Sequence, residues 1–179
     1  MRIYPNILSI IVLIVMMFSC SNASNNEKSK QFEKESINES LIEINKDLLM
    51  RESNMIDEYV KKNNLEVVRT GTGLRYQIIE SGEGDYINKG DIVTLKYDVC
   101  LLNGELLYSS DNEGYKFFRV GRGGVESGLE EAILKLKKNS VSTLIIPSHL
   151  AHGLTGDGNK IPPKAVLVYK LKVVDVVKE

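Results

Sequence analysis

A chain of 179 residues has room for one ordinary domain plus extensions. Its formal net charge of −1, with acids and bases interspersed, creates no broad basic field for gripping a phosphate backbone. DNA and RNA are therefore not expected partners.

In the first twenty residues Arg2 is the only charged side chain, and Ile7 to Phe18 is an almost unbroken apolar run. That run is about a dozen residues, too short for a membrane-spanning helix, which needs roughly 20. It fits the hydrophobic region of an export signal covering residues 1–19. Phe18-Ser19-Cys20 resembles the end of a bacterial lipoprotein signal, in which Cys20 becomes the acylated first residue; Ser19 fits that pattern, whereas Met17 and Phe18 depart from it. Acyl chains gain about 0.8 kcal/mol per buried methylene, enough to hold a domain at a bilayer. A lipidated Cys20 leaves Cys100 without a disulfide partner, and Cys100 is then expected to be a buried strand residue.

Residues 20–31 are polar and aperiodic, the composition of a flexible tether. Over 32–64, Ile37, Leu41, Ile44 and Leu48 recur at helical spacing with Ile42, Leu49, Ile56 and Val60 beside them, which predicts an amphipathic helix, or two, ending near Asn63-Asn64. Its apolar stripe needs a cover, either the body of the protein or a second copy of the chain.

Beyond residue 64 the period changes to two. Val93, Leu95, Tyr97, Val99 and Leu101 alternate with Thr94, Lys96, Asp98, Cys100 and Leu102, which predicts a strand with one face in a core. Asn103-Gly104 signals a type I′ hairpin returning as Glu105 to Ser109. Further strands are expected at Leu74–Glu80, Lys116–Val120, Val141–Ile146 and Ala165–Val177. Helical spacing recurs at Leu129, Ile133 and Leu136. This order predicts an α+β domain over 65–179, an antiparallel β-sheet wrapped around one short α-helix.

Residues 118 to 131, FRVGRGGVESGLEE, place four glycines between a strand and that helix. A phosphate-binding loop would end in Gly-Lys-Ser/Thr, and a dinucleotide fingerprint would sit in a βαβ unit. Neither occurs, and Glu126, Glu130 and Glu131 at the helix start complement the helix dipole but repel phosphate. No nucleotide, and no other cofactor, is expected. His149 and His152 have no third His or Cys beside them, so no metal site is assigned.

The ordered series of motifs resembles the FKBP-type peptidyl-prolyl isomerases. Strand-Asn-Gly-strand-Ser-Ser is followed by Phe-x-Val-Gly, Val-x-x-Gly-Leu-Glu-x-Ala, Leu-Ile-Ile-Pro-Ser-His-Leu-Ala-x-Gly and Ile-Pro-Pro-x-Ala-x-Leu-x-Tyr, from roughly Leu74 to Val176. With the N-terminal features, the chain also resembles the exported isomerases of Gram-negative bacteria, including lipoproteins associated with gliding motility in Bacteroidota. The resemblance implies a proline pocket with Tyr97, Val125, Glu126, Leu129 and Tyr169 as the catalytic set. Leu107, Tyr108, His152 and Ile161 complete the substrate-binding set. Within it, the Glu126 N–H would donate to the substrate carbonyl, and Leu129 would floor the pocket. Four positions depart from the family pattern: Leu129 for tryptophan, Leu107 for phenylalanine, Tyr108 for aspartate and His152 for tyrosine. They imply a weaker isomerase. The expected substrates are proline-containing polypeptides of the cell envelope, reached from a lipid anchor facing the periplasm at the outer membrane, with a homodimer through the N-terminal helix as a further expectation. The alternative is an FKBP fold that holds proline segments without useful turnover.

Overall fold

The computed structural model describes residues 21–179. The expected signal segment and Cys20 lie outside them. Helix α1 runs from Ser21 to Lys62 without interruption. The run expected as a tether is therefore helical: from Ser21 to Lys62 there is no glycine or proline to stop a helix. Among the described residues, no helix is long and apolar enough to cross a membrane.

Two compact units divide the chain, residues 1–49 and 50–179. In the first, the apolar positions Ile37, Leu41, Ile44 and Leu48 are all exposed. The second holds the last turns of α1 and then the strands β1 (Val68–Arg69), β2 (Arg75–Glu80), β3 (Glu83–Tyr86), β4 (Ile92–Leu101), β5 (Leu106–Ser109) and β6 (Lys116–Arg119). β7 (Lys137–Lys138), β8 (Val141–Ile146) and β9 (Leu167–Val177) follow. A one-turn helix α2 (Ser110–Glu113) precedes β6, helix α3 (Ser127–Ile133) follows it, and a 3₁₀ turn spans Ser148–Leu150.

The main sheet has the order β1-β2-β8-β9-β4-β5, with β6 pairing the first half of β4 and β5 the second. Every pairing is antiparallel, so the predicted fold class holds. β3 and β7 form a separate small ribbon, and α2 was not anticipated. The β4–β5 hairpin differs from the expected type I′ turn. Gly104 has φ 90° whereas Asn103 does not have positive φ, and Leu101 N–H donates to Glu105 O across a three-residue loop. One left-handed glycine and a register shift after Val99 close it instead.

Alternation along the strands sorts the core. Val93, Leu95, Tyr97 and Val99 of β4 and Leu167, Tyr169, Leu171 and Val173 of β9 point to one face, where Leu129, Ala132 and Ile133 of α3 cover them. Gly128 permits the close approach: a Cβ there would sit 2.4 Å from Ile146 Cγ2. On the opposite face Ile145, Val166 and Val168 meet Ile56 of α1, with Tyr59, Val60 and Cys100 at the margin. Cys100 is half-buried, not buried as expected, because it lies at the edge of this smaller cluster.

Polar contacts fix the end of α1 to that face. Arg75, 2% exposed, donates to Asp57 Oδ1 and Ser53 Oγ, each at 2.7 Å, and to Gly73 O at 2.8 Å. Glu52 accepts from the N–H and the hydroxyl of Ser148 at 2.8 and 2.5 Å.

Candidate active site

β4 and β9 pair with Val99 opposite Tyr169, which places Tyr97 and Tyr169 as diagonal neighbours on the core face. Their ring centroids lie 6.3 Å apart at 34°. Lys116, the first residue of β6, pairs with Leu95 and sends its Nζ over both rings, 5.2 Å from the Tyr97 centroid and 5.7 Å from that of Tyr169. Glu126 is the N-cap residue of α3, so its carbonyl accepts the first helical hydrogen bonds while its side chain turns towards the sheet. Val99, Glu113, His152, Asp157 and Ile161 complete the lining of a cavity of about 280 Å³ with Tyr97, Tyr108, Lys116, Glu126 and Tyr169.

The Glu126 carboxylate is the electrostatic centre. Its side chain is 7% exposed. Oε1 accepts from the Tyr169 hydroxyl at 2.5 Å and from His152 Nε2 at 3.2 Å. Oε2 accepts no hydrogen bond and lies 3.8 Å from Lys116 Nζ. Burial pushes this carboxyl up, but the Lys116 charge, the Tyr169 hydroxyl, Glu126's own backbone N–H and His152 outweigh it and hold the group below its ordinary range. Burial, reinforced by the neighbouring Glu126 charge, pushes the Tyr169 phenol well above its ordinary value.

Six of the nine residues expected in the pocket line the cavity: Tyr97, Tyr108, Glu126, His152, Ile161 and Tyr169. Three do not. Leu129, fully buried, and Leu107 belong to the packed core beneath, and Val125, packed at the margin of that core, lines adjoining hollows, one of them shared with Lys116, Glu126 and His152. Leu129 is therefore part of the helix–sheet core and not an exposed floor.

Sequence reasoning missed Val99, Glu113, Lys116 and Asp157. Asp157 restores the acid that Tyr108 was expected to have removed. It accepts from the Tyr108 hydroxyl and from the N–H groups of Asn159 and Ile161, the latter at 2.8 Å. These contacts fold the tip of the β8–β9 loop and tie it to β5. Gly156 makes the fold of that loop possible, since at φ +71° a Cβ would lie 2.1 Å from Ile161 O. The phenol is raised first by this carboxylate and then by burial; Asp157 is held low by its three donors and by nearby His152 despite its own desolvation. A spacing signal existed, because Asp157 precedes Ile161 by one turn of loop, but nothing in the sequence shows that Tyr108 meets it. The Ser109-Ser110 motif also acquires a reason: Ser109 donates to Asp98 at 2.6 Å, and Ser110 Oγ accepts from the Tyr97 N–H at 3.1 Å, fixing the strand that carries Tyr97.

The Gly121 N–H donates to Glu130 Oε2 at 2.6 Å.

Comparison with known proteins agrees with this geometry. Residues 84–174 match the family model of FKBP-type peptidyl-prolyl cis-trans isomerases. The chain is 37% identical over 123 residues to a probable FKBP-type isomerase, FkpA, of Neisseria meningitidis; the match takes in 67% of this chain and 44% of that protein. The chain thus spans less than half of that relative's length. It is 34% identical over 103 residues to FK506-binding protein 1 of Dictyostelium discoideum, covering 57% of this chain and 96% of the relative. Among solved structures, that of FkpA from Escherichia coli is similar with a TM-score of 0.63 at 26% identity, over 98% of this chain and 83% of that one. The antiparallel sheet around α3, the tyrosine-lined cavity and these matches lead to one conclusion: the chain belongs to the FKBP-type peptidyl-prolyl cis-trans isomerase family.

Proposed function

We propose that this protein catalyses cis–trans isomerisation of Xaa-Pro bonds in exported polypeptides, in the cavity between Tyr97, Tyr169 and Ile161. The uncatalysed rotation meets a barrier of about 18–20 kcal/mol because the amide must give up its planarity. No bond breaks, so catalysis needs only a site that suits the twisted amide better than the planar one. Ring faces and Ile161 withdraw water from the bond, and the Glu126 N–H holds the turning carbonyl. Val125, Leu129 and Leu107 would support this catalytic and binding set from behind. The observation that carries the reading is the pair of tilted tyrosines, 6.3 Å apart, beneath the Ile161 loop. A coupled assay on a short Xaa-Pro peptide tests it: acceleration that disappears in Tyr169→Ala is the expected result.

A second reading, a module that holds proline segments with little turnover, is favoured by one feature. The Lys116 ammonium and the Glu126 carboxylate both lie in the cavity and must be moved or desolvated before a proline ring enters. Tight peptide binding without acceleration would select this reading.

We further propose export, cleavage before Cys20 and a lipid anchor on that residue at the outer membrane, as in lipoprotein members of the family from Bacteroidota. The short apolar run of residues 7–18 supports this reading. Labelled palmitate incorporation, abolished in Cys20→Ser, tests it. A homodimer through the exposed stripe Ile37, Leu41, Ile44 and Leu48 is proposed on the same footing. Sedimentation before and after removal of residues 27–64 tests that.

A further inference from the structure

We propose that Glu52 of α1 is a positioning residue for the isomerase site: its carboxylate holds the root of the β8–β9 loop and so sets His152, Asp157 and Ile161 against the two tyrosines. The inference rests on the proposed turnover in the Tyr97–Tyr169 cavity and names a residue outside that cavity which governs how tightly it takes a substrate.

Docking of the helix does not by itself explain Glu52. The apolar contact of Ile56 with Ile145, Val166 and Val168, and the bonds of Arg75 to Asp57 and Ser53, already fix the end of α1. Glu52 is nevertheless buried, at 9% exposure, and a buried carboxylate is expensive unless hydrogen bonds compensate it. Both of its oxygens are spent on one residue 96 positions along the chain: the Ser148 N–H donates to Oε1 at 2.8 Å and the Ser148 hydroxyl to Oε2 at 2.5 Å.

Ser148 is where the pocket loop begins. It follows the end of β8 and opens the 3₁₀ turn. Its carbonyl accepts from the N–H groups of Ala151 at 3.1 Å and Gly153 at 2.8 Å, closing a turn that contains His152. Gly153 O in turn accepts from the Lys164 N–H at 2.8 Å, which closes the base of the stretch carrying Asp157 and Ile161. Ser148 therefore has its two donors on the helix and its acceptor in the loop.

The far end of the 3₁₀ turn has no slack. Leu150 O accepts from Ser127 Oγ at 3.2 Å, and Leu150 lies so near α3 that a Cβ at Gly128 would sit 3.1 Å from its Cβ. Held on α3 at one end and on Glu52 at the other, the turn keeps His152 Nε2 3.2 Å from Glu126 Oε1. Without the Glu52 carboxylate the buried Ser148 N–H is unpaired, which costs the desolvation of that group, and the turn relieves it by opening towards water. The loop then spends part of its time away from the cavity, and apparent affinity falls with the closed fraction. Bound substrate closes it again, so the loss falls on KM and not on kcat.

The experiment measures KM and kcat for Ala-Leu-Pro-Phe by NMR with the full chain and its variants. Glu52→Ala is expected to raise KM about fivefold, to leave kcat near wild type and to shift the His152 ring signals. Glu52→Gln, whose amide oxygen can still accept from the Ser148 N–H, should recover most of the KM and shift the same signals by less. Ser148→Ala, which loses the hydroxyl contact alone, should do likewise. Ile56→Ala weakens the same helix without touching Ser148, and should leave KM and the His152 signals near wild type. Should Glu52→Ala not fold, the Glu52→Gln and Ser148→Ala variants decide the matter. Wild-type KM with unmoved His152 signals in the Glu52 and Ser148 variants would overturn the proposal, and so would equal changes in Ile56→Ala, which would make Glu52 one more anchor of the helix. Neither result touches the isomerase reading. No acceleration by the wild type, with the peptide Kd raised and the His152 signals moved in Glu52→Ala, would remove the isomerase reading and keep Glu52 as a positioning residue.

Discussion

The two faces of the main sheet are stabilised in different ways. Towards α3 lies a large apolar core, with Leu129, Ile133, Leu144, Tyr169 and Val173 all at 1% exposure or less, and the tyrosine-lined pocket opens at its edge. Towards the end of α1 the buried apolar cluster has only Ile56, Ile145, Val166 and Val168 at its centre, and ionic hydrogen bonds at Arg75 and Glu52 accompany it. An area-based driving force suffices where two elements pack broadly, whereas a single helix crossing a sheet buries too little to fix its angle. Directional bonds to Asp57, Ser53 and Ser148 supply that geometry.

Breaking the first face should cost most. Leu129→Ala is expected to destabilise the domain by about 3–5 kcal/mol, the range for a fully buried leucine that leaves a cavity, and urea unfolding would measure it. Ile56→Ala should cost about 2 kcal/mol, at the lower end of that range, because the end of a helix can settle into the space. It should also expose the Val166 and Val168 amides to faster hydrogen exchange while those of β4 stay protected. Glu52→Gln keeps the shape but replaces charge-assisted bonds to Ser148 by neutral ones, a loss of about 1 kcal/mol. Because Ser148 opens the loop that carries His152, this variant should also move the His152 ring signals, which a purely local loss at α1 would not do.

The pocket sharpens the same contrast through pH, with the smallest expected effect. Glu126 and Asp157 are both held below the ordinary carboxylate range. Their contribution to stability is therefore complete above about pH 5, where unfolded carboxylates are largely ionised, and is lost as pH falls through their folded values. Glu126→Gln should flatten the acid limb of a stability profile, and Ile56→Ala should shift the whole profile down without changing its slope.

Periodicity in the sequence carried most of this architecture. β4 and β9 are long enough for strict alternation to identify the inward set, and Leu129 with Ile133 marked the buried side of α3 before any fold was known. The helix α2 and the β3–β7 ribbon escaped because elements of two to four residues contain only one or two periods, too few to stand out as a pattern. In the pocket, residues on regular strands were legible: Tyr97 and Tyr169 alternate with their neighbours. Lys116 was not, since a lysine opening a strand reads as solvated, and its stem reaches the two rings only after β6 has paired with β4. Leu129 was misplaced for a related reason, since a helix-facing leucine looks the same whether a cavity or a packed sheet lies beyond it.

The residue order alone determined the α+β class, the antiparallel strands, the single core-covering helix and the motifs that mark the family, because each depends on local spacing and turn chemistry. Tertiary structure decided what the pocket contains. It brought Asp157 to Tyr108 across 49 positions and Tyr169 to Glu126 across 43, and it laid Lys116 over the two tyrosines. Such contacts depend on side chains meeting across strands and loops far apart in the chain, where charge and desolvation are balanced in three dimensions and no periodicity records the outcome.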